Sequence, residues 1–257
     1  MAYVTRDGLR LYYEQHGSGS QPFVFVHGWC CDHTFFAPQF EYFGAKSSVT
    51  TYDLRGCGRS DPGDDYEIAT FAEELAWLCR ELGIAAPVIV GHSLGGLIAL
   101  ELAARHSTLP AAVVAVDPGP IDPLPTSREA LSALAAQVGD LAAGDPRRAY
   151  VAGLFRPGDD AERALLIQDT MCAVPREIAA AMLDGYLRWD GVAALNRCSA
   201  PVLVTLAQTG GSNDPTRLLA LKPELAIGVT VGAGHFQQLD AADQLTPMIE
   251  RFVAELP

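Results

Sequence analysis

A mostly parallel β-sheet with helices on both faces, interrupted by a helical insertion, is the architecture that this 257-residue sequence predicts. Two observations carry the prediction. Over residues 23–116 short apolar runs rich in Val, Ile and Phe alternate with helix-like segments, the pattern of strands buried on both faces and joined by helical crossovers. The alternation stops near Ile121 and resumes near Val202, and the stretch between carries several helical segments and no strand-like run. A core at residues 1–120 and 199–257 and a helical lid at 121–198 are therefore expected, within the length of one domain carrying an insertion.

Taken in order, Tyr3 to Thr5 and Leu9 to Glu14 bracket Asp7-Gly8, a strong hairpin signal, so the sheet opens antiparallel. Phe23 to Val26 is a buried strand that ends at His27-Gly28-Trp29, and Val49 to Tyr52 is another, followed by an irregular loop marked by Gly56, Gly58 and Pro62. Thr70 and Glu73 are spaced as a capping box for a helix whose face is Phe71, Leu75, Leu78 and Leu82, with Gly83 as its stop. Ala111 to Val116 is the next strand and closes on Asp117. In the insertion Thr126 and Glu129 are spaced as a second capping box, Asp145-Pro146 and Val174-Pro175 start helices, and Leu131, Leu134, Val138 and Leu141 form a narrow stripe. Val202 to Thr205 and Ile227 to Val231 complete the sheet, and a last helix covers it with Leu245, Met248, Ile249, Phe252 and Val253.

The chemistry gathers at Val88 to Leu100. There a strand gives way through Gly91-His92-Ser93-Leu94-Gly95 to a helix, and GxSxG in that context predicts a sharp turn that exposes the Ser93 hydroxyl. A serine needs an imidazole to take its proton. His235 follows the glycine-rich turn Gly232-Ala233-Gly234 after the last strand, so its loop reaches the same sheet edge. The other histidines have plainer readings: His16 ends an early strand, His27 is a loop residue, His33 precedes the first helix and His106 suits a helix C-terminus.

Composition narrows the partners. A formal charge of −13 disfavours nucleic acid and anionic membranes, and no run approaches the roughly 18 apolar residues of a membrane span. With no signal-peptide core at the N-terminus, a soluble cytoplasmic protein is expected. The six cysteines show no CxxC spacing and read as free thiols, and the adjacent Cys30 and Cys31 make a poor disulfide pair. No metal or cofactor is expected, the partner is a small-molecule substrate, and monomer and homodimer both stay open.

HGW at 27–29, DLRGCGRSD at 53–61, GHSLGG at 91–96 and GAGHF at 232–236 together resemble the α/β-hydrolase family in content and order. The resemblance covers nearly the whole chain, weakest in the lid, and implies an eight-stranded sheet with Ser93 as nucleophile, His235 as base and the backbone amides of Leu94 and Trp29 as oxyanion hole. Trp29, His92 and Phe236 are the candidate substrate contacts. The acid departs from the family's commonest pattern: after Val202 to Thr205 the sequence reads LAQTGGSND, with no acid at the usual place. Asp117, at the end of the preceding strand, is the expected acid and Asp214 the alternative.

The leading function is hydrolysis of an uncharged, fairly apolar ester, lactone or related carbonyl compound, the apolar preference resting on a lid with Phe155, Met171, Met182, Tyr186 and Trp189. GWCCDH at 28–33 with Asp117 also resembles the cofactor-free dioxygenases of the superfamily that open N-heteroaromatic rings; the intact GHSLGG weighs against this. A ligand receptor on the same fold is the third reading, and the complete Ser, His and acid set weighs against it.

Overall fold

Asp7 and Gly8 adopt positive φ (52° and 88°), the geometry of a two-residue hairpin turn, and join β1 (Ala2–Arg6) to β2 (Leu9–His16). The computed structural model describes residues 2–208 and 212–256. Over these residues the sheet continues with β3 (Phe23–Val26), β4 (Val49–Tyr52), β5 (Val88–His92), β6 (Ala112–Val116), β7 (Val202–Ala207) and β8 (Ala226–Thr230). The eight strands lie in the order β1-β2-β4-β3-β5-β6-β7-β8; β2 runs against both neighbours and β3 to β8 are parallel.

Strands β3 to β7 are buried at every residue because alternate side chains enter two different cores. Val24, Val26, Ile89, Val113 and Val204 join one core with α2 (Ile68–Glu81) and α3 (Leu94–Arg105). Phe23, Phe25, Val88, Val90 and Val114 join the other, with Phe43 of α1 (Ala37–Gly44) and Leu245 and Ile249 of the last helix (Ala242–Ala254). This is why the strands read as unbroken apolar runs rather than as alternating ones.

Residues 121–198 hold α4 (Pro125–Gly139), α5 (Arg147–Ala152), α6 (Ala161–Ala173), α7 (Arg176–Arg188) and α8 (Gly191–Arg197), with no strand among the described residues. Helices α4 and α7 pack together, as do α5 and α6, whereas α8 lies on α3 of the core. The Trp189 indole N–H, just before α8, donates to Glu101 of α3 at 2.9 Å.

Neither expected capping box forms. Helix α2 starts at Ile68 with Glu67 as its cap, so Thr70 falls inside the first turn and its hydroxyl donates to Asp65 instead. Helix α4 starts at Pro125, whose fixed φ suits the first helical position, so Leu124 holds the capping position and Thr126 falls two residues past it. The proline starts were read to within a residue, since Pro146 and Pro175 cap α5 and α7.

The register decides what the fold can do. Val26 pairs with Gly91, His92 with Val116 and Val116 with Thr205, so the carboxyl ends of β3, β5, β6 and β7 finish at one edge of the sheet. The loops that leave these ends carry His27-Gly28-Trp29, Ser93 and Asp117.

Candidate active site

Ser93 sits between β5 and α3 with φ 52° and ψ −115°, a conformation that costs a non-glycine residue on the order of 1–3 kcal/mol. Close packing enforces it. A Cβ on Gly91 would lie 2.1 Å from the Gly95 carbonyl oxygen, and one on Gly95 would lie 2.2 Å from the Val26 carbonyl oxygen. The Ser93 amide donates to Val116 O at 3.0 Å and ties the turn to β6.

The loop after β3 lies directly against this turn, for a Cβ on Gly28 would meet His92 Nδ1 at 3.0 Å and Ser93 Cβ at 3.2 Å. His27 anchors it: Nδ1–H donates to Gly28 O at 2.8 Å and Nε2 accepts from the Leu54 amide at 2.9 Å. Burial lowers the His27 pKa and keeps the ring neutral for that dual role. The Trp29 indole N–H donates to Ala179 O of α7 at 2.9 Å, fastening the loop to the helices above it. The main-chain amides of Trp29 and Leu94 donate no hydrogen bond among the described residues.

The far end of this loop is clamped by Asp53, which is fully buried and accepts from the His33 amide (2.7 Å), His33 Nδ1 (2.8 Å) and the Arg59 amide (2.8 Å). His33 Nε2 lies 3.5 Å from Glu14 Oε1. Burial works against a charge on His33, but its hydrogen bond to Asp53 and the charges of Asp53, Asp32 and Glu14 outweigh burial and raise its pKa.

Asp117, with φ 38°, ends β6 and is buried. Its Oδ2 accepts from His235 Nδ1 at 2.7 Å and its Oδ1 from the Ala207 amide at 3.1 Å, while its own amide donates to Thr205 O at 2.7 Å. The bond to Nδ1 leaves His235 Nε2 as the open ring nitrogen. His92 supports the same residue from behind: its Nε2–H donates to the His235 carbonyl at 3.0 Å and the ring centroids are 4.7 Å apart. Burial, then the neighbouring His235, lowers the His92 pKa well below the usual imidazole value, so it acts as a neutral donor. Phe236 is buried among Phe35, His92, Phe155 and His235.

Ser93, His235, Leu94, Trp29, His92 and Phe236 line one cavity of about 630 Å³, roofed by α4, α5 and α7. No hydrogen bond joins Ser93 to His235 among the described residues, and such bonds are often long before substrate binds. Asp214 is elsewhere. It is exposed, caps α9 (Pro215–Leu221) by accepting from the Thr216 and Arg217 amides, and is held below the usual carboxylate range by those bonds. Of the loop run from Gln208 to Asn213, residues 209–211 lie outside the described residues. Of the insertion residues read as pocket-forming, Met171 and Tyr186 line the cavity and Phe155 stacks on Phe236 at 5.1 Å. Met182 is fully buried in the core and Trp189 is spent on Glu101. Sequence reasoning missed Tyr150, a cavity residue on a six-residue helix with no pattern to mark it, and the Asp53–His33 clamp, since His33 read only as the residue before the first helix.

The fold and this edge of the sheet define an enzyme class. The chain belongs to the alpha/beta hydrolase family, whose family model matches residues 23–247. A 2-(acetamidomethylene)succinate hydrolase of Mesorhizobium japonicum is 28% identical over 247 residues, covering 89% of this chain and 86% of that protein. Among solved structures, a thermophilic esterase from Thermogutta terrifontis matches with a TM-score of 0.86 at 24% identity, over 100% of this chain and 99% of that one. The enol-lactonase of Burkholderia xenovorans matches with a TM-score of 0.85 at 22% identity, over 99% and 100%. At these identities the solved structures share the fold.

Two expectations follow from the geometry. Gly95→Ala lowers stability by at least about 2 kcal/mol, because its methyl must displace backbone rather than a side chain; a thermal melt matching wild type would contradict the packing argument. The raised His33 pKa contributes stability that is complete below its unfolded value of about 6.5 and is lost as pH rises through the folded value. In urea titrations the advantage of wild type over His33→Gln should therefore shrink as pH rises above about 6.5, and a constant gap would remove the ionic role of His33.

Proposed function

We propose that the protein is a serine hydrolase that cleaves an uncharged, fairly apolar ester or lactone through an acyl-enzyme. The observation that carries this reading is the 2.7 Å bond between buried Asp117 and His235 Nδ1, at a cavity that Ser93 also lines. His235 Nε2 takes the Ser93 proton as the oxygen attacks the carbonyl, then returns it to the leaving alcohol. Asp117 holds the tautomer and balances the imidazolium without taking the proton. The Trp29 and Leu94 amides, without partners among the described residues, are the donors for the tetrahedral oxyanion, a contribution of about 3–4 kcal/mol per donor in comparable sites. Water then repeats the sequence against the acyl-enzyme, with His235 as base.

The uncharged substrate follows from the lining. No Arg, Lys, Asp or Glu lines the cavity among the described residues, and Trp29, Leu97, Leu134, Met171 and Leu183 make most of its wall apolar. Arg147, buried at the start of α5, spends its guanidinium on Asp145 and on the carbonyls of Met171, Cys172 and Val174. The Mesorhizobium relative is named for a succinate; this cavity offers no cation to a carboxylate, so a different substrate is expected here.

A fluorophosphonate probe should label Ser93, and Ser93→Ala should lose both labelling and nearly all ester turnover while keeping its fold. Oxygen uptake with N-heteroaromatics in place of acid release from esters would replace this reading. Asp117→Asn should slow turnover by up to about four orders of magnitude, the loss seen when a triad acid is made an amide. Asp214→Asn should stay near wild type. A slow Asp214→Asn beside a normal Asp117→Asn would reverse the assignment, read from steady-state kcat/KM of both purified variants.

A further inference from the structure

Most of the aromatic and imidazole polar groups around the cavity are committed to the protein, while Ser127 and Gln137 of α4 and Ser212 add smaller or longer polar side chains to its wall. The Trp29 indole N–H is bound to Ala179 O, the Tyr186 hydroxyl donates to Pro120 O at 2.8 Å, and the His92 N–H is bound to His235 O. Tyr150 is different. It lines the same cavity from α5, its ring meets Trp29 edge-on at 5.9 Å between centroids, and its hydroxyl has no hydrogen-bond partner among the described residues. Packing raises the phenol's pKa, so it is a neutral donor at physiological pH. The residue is 37% exposed, which leaves part of it open to a ligand. The contact with Trp29 places the ring beside the loop whose amide faces the reacting carbonyl in the mechanism above. A phenol fixed by its ring and free at its oxygen, in a mostly apolar wall with no charged side chain among the described residues, is the kind of placed polar group that orients a ligand.

We propose that Tyr150 is a specificity-determining residue whose hydroxyl donates to an uncharged acceptor oxygen of the substrate, an ether, hydroxyl or second carbonyl set apart from the scissile ester. The inference rests on the ester-hydrolase reading and narrows it: the preferred substrate is a neutral ester or lactone with a second oxygen function, rather than a plain hydrocarbon ester. A site that holds such a group discriminates against the analogue that lacks it, because a substrate without the second oxygen forgoes that hydrogen bond.

The experiment compares 4-nitrophenyl heptanoate with isosteres in which an ether oxygen replaces one methylene at successive positions of the acyl chain, and a second series with the oxygen in an alkyl alcohol portion. For each pair the ratio of kcat/KM, oxygen-bearing over all-carbon, is measured in wild type, Tyr150→Phe and Tyr186→Phe. Comparing ratios between enzymes cancels the intrinsic reactivity of each ester. At one position or more the ratio should fall about tenfold in Tyr150→Phe, most of it in KM, and stay at the wild-type value in Tyr186→Phe, whose hydroxyl is already spent. Equal ratios in wild type and Tyr150→Phe at every position overturn the role of the phenol while leaving the hydrolase intact. An equal fall in Tyr186→Phe also overturns it, since general loosening of the wall would then suffice. If wild type cleaves none of the esters and Ser93 is not labelled by fluorophosphonate, the hydrolase reading itself fails and this one with it.

Discussion

The close approach of α3 to the ends of the central strands is the constraint on which the site depends. Gly91 and Gly95 allow it: either Cβ would stand about 2 Å from a carbonyl oxygen, and moving the helix away would release Ser93 from its positive φ. Because the helix is held there, the Ser93 side chain lies at the sheet edge and the Leu94 amide starts the helix with no backbone acceptor. The loop after β3 can then close from the other side only because Gly28 also lacks a side chain. Backbone strain at Ser93 and Asp117 is concentrated where the neighbouring strands β5 and β6 end, and the buried sheet beneath them supplies the packing that holds it.

Burial and carboxylate contact sort the histidines into different jobs. His27 and His92 are buried with no direct carboxylate partner; both have lowered pKa values and serve as neutral struts, one between two loops and the other under the His235 carbonyl. His33 and His235 each donate Nδ1–H to a buried aspartate, Asp53 and Asp117. The same bond does different work in the two places. His33 closes on Glu14 and fixes a loop, whereas the open nitrogen of His235 belongs to a residue that lines the cavity.

The helices of residues 121–198 set the character of that cavity more than the sheet does. Three of their arginines are spent on the protein: Arg147 binds carbonyls at the C-terminal end of α6, Arg176 caps the carbonyls that end α4, and Arg163 pairs with Asp240. The cations thus brace the roof, and what remains for a ligand is a mostly apolar wall with no charged side chain among the described residues.

The sequence by itself determined the strands, the order of the motifs and the turn at Ser93, because each depends on local chemistry: unbroken β-branched runs, glycines at fixed offsets, Asp-Gly between two strands. It also placed Asp117 at a strand end, though not beside His235, which lies 118 residues away. That meeting was decided by the register of β6 against β7 and by the loop after β8, neither of which a linear pattern encodes. The helix starts at Thr70 and Thr126 were misread for a related reason: spacing allows a capping box, but Asp65 and Pro125 compete for the same first turn and win. Tyr150 and the Asp53–His33 clamp were invisible, since a side chain's free or committed hydroxyl, or a carboxylate's burial, is a property of neighbours far along the chain. Only the folded packing decides which polar groups are satisfied and which are left for a ligand.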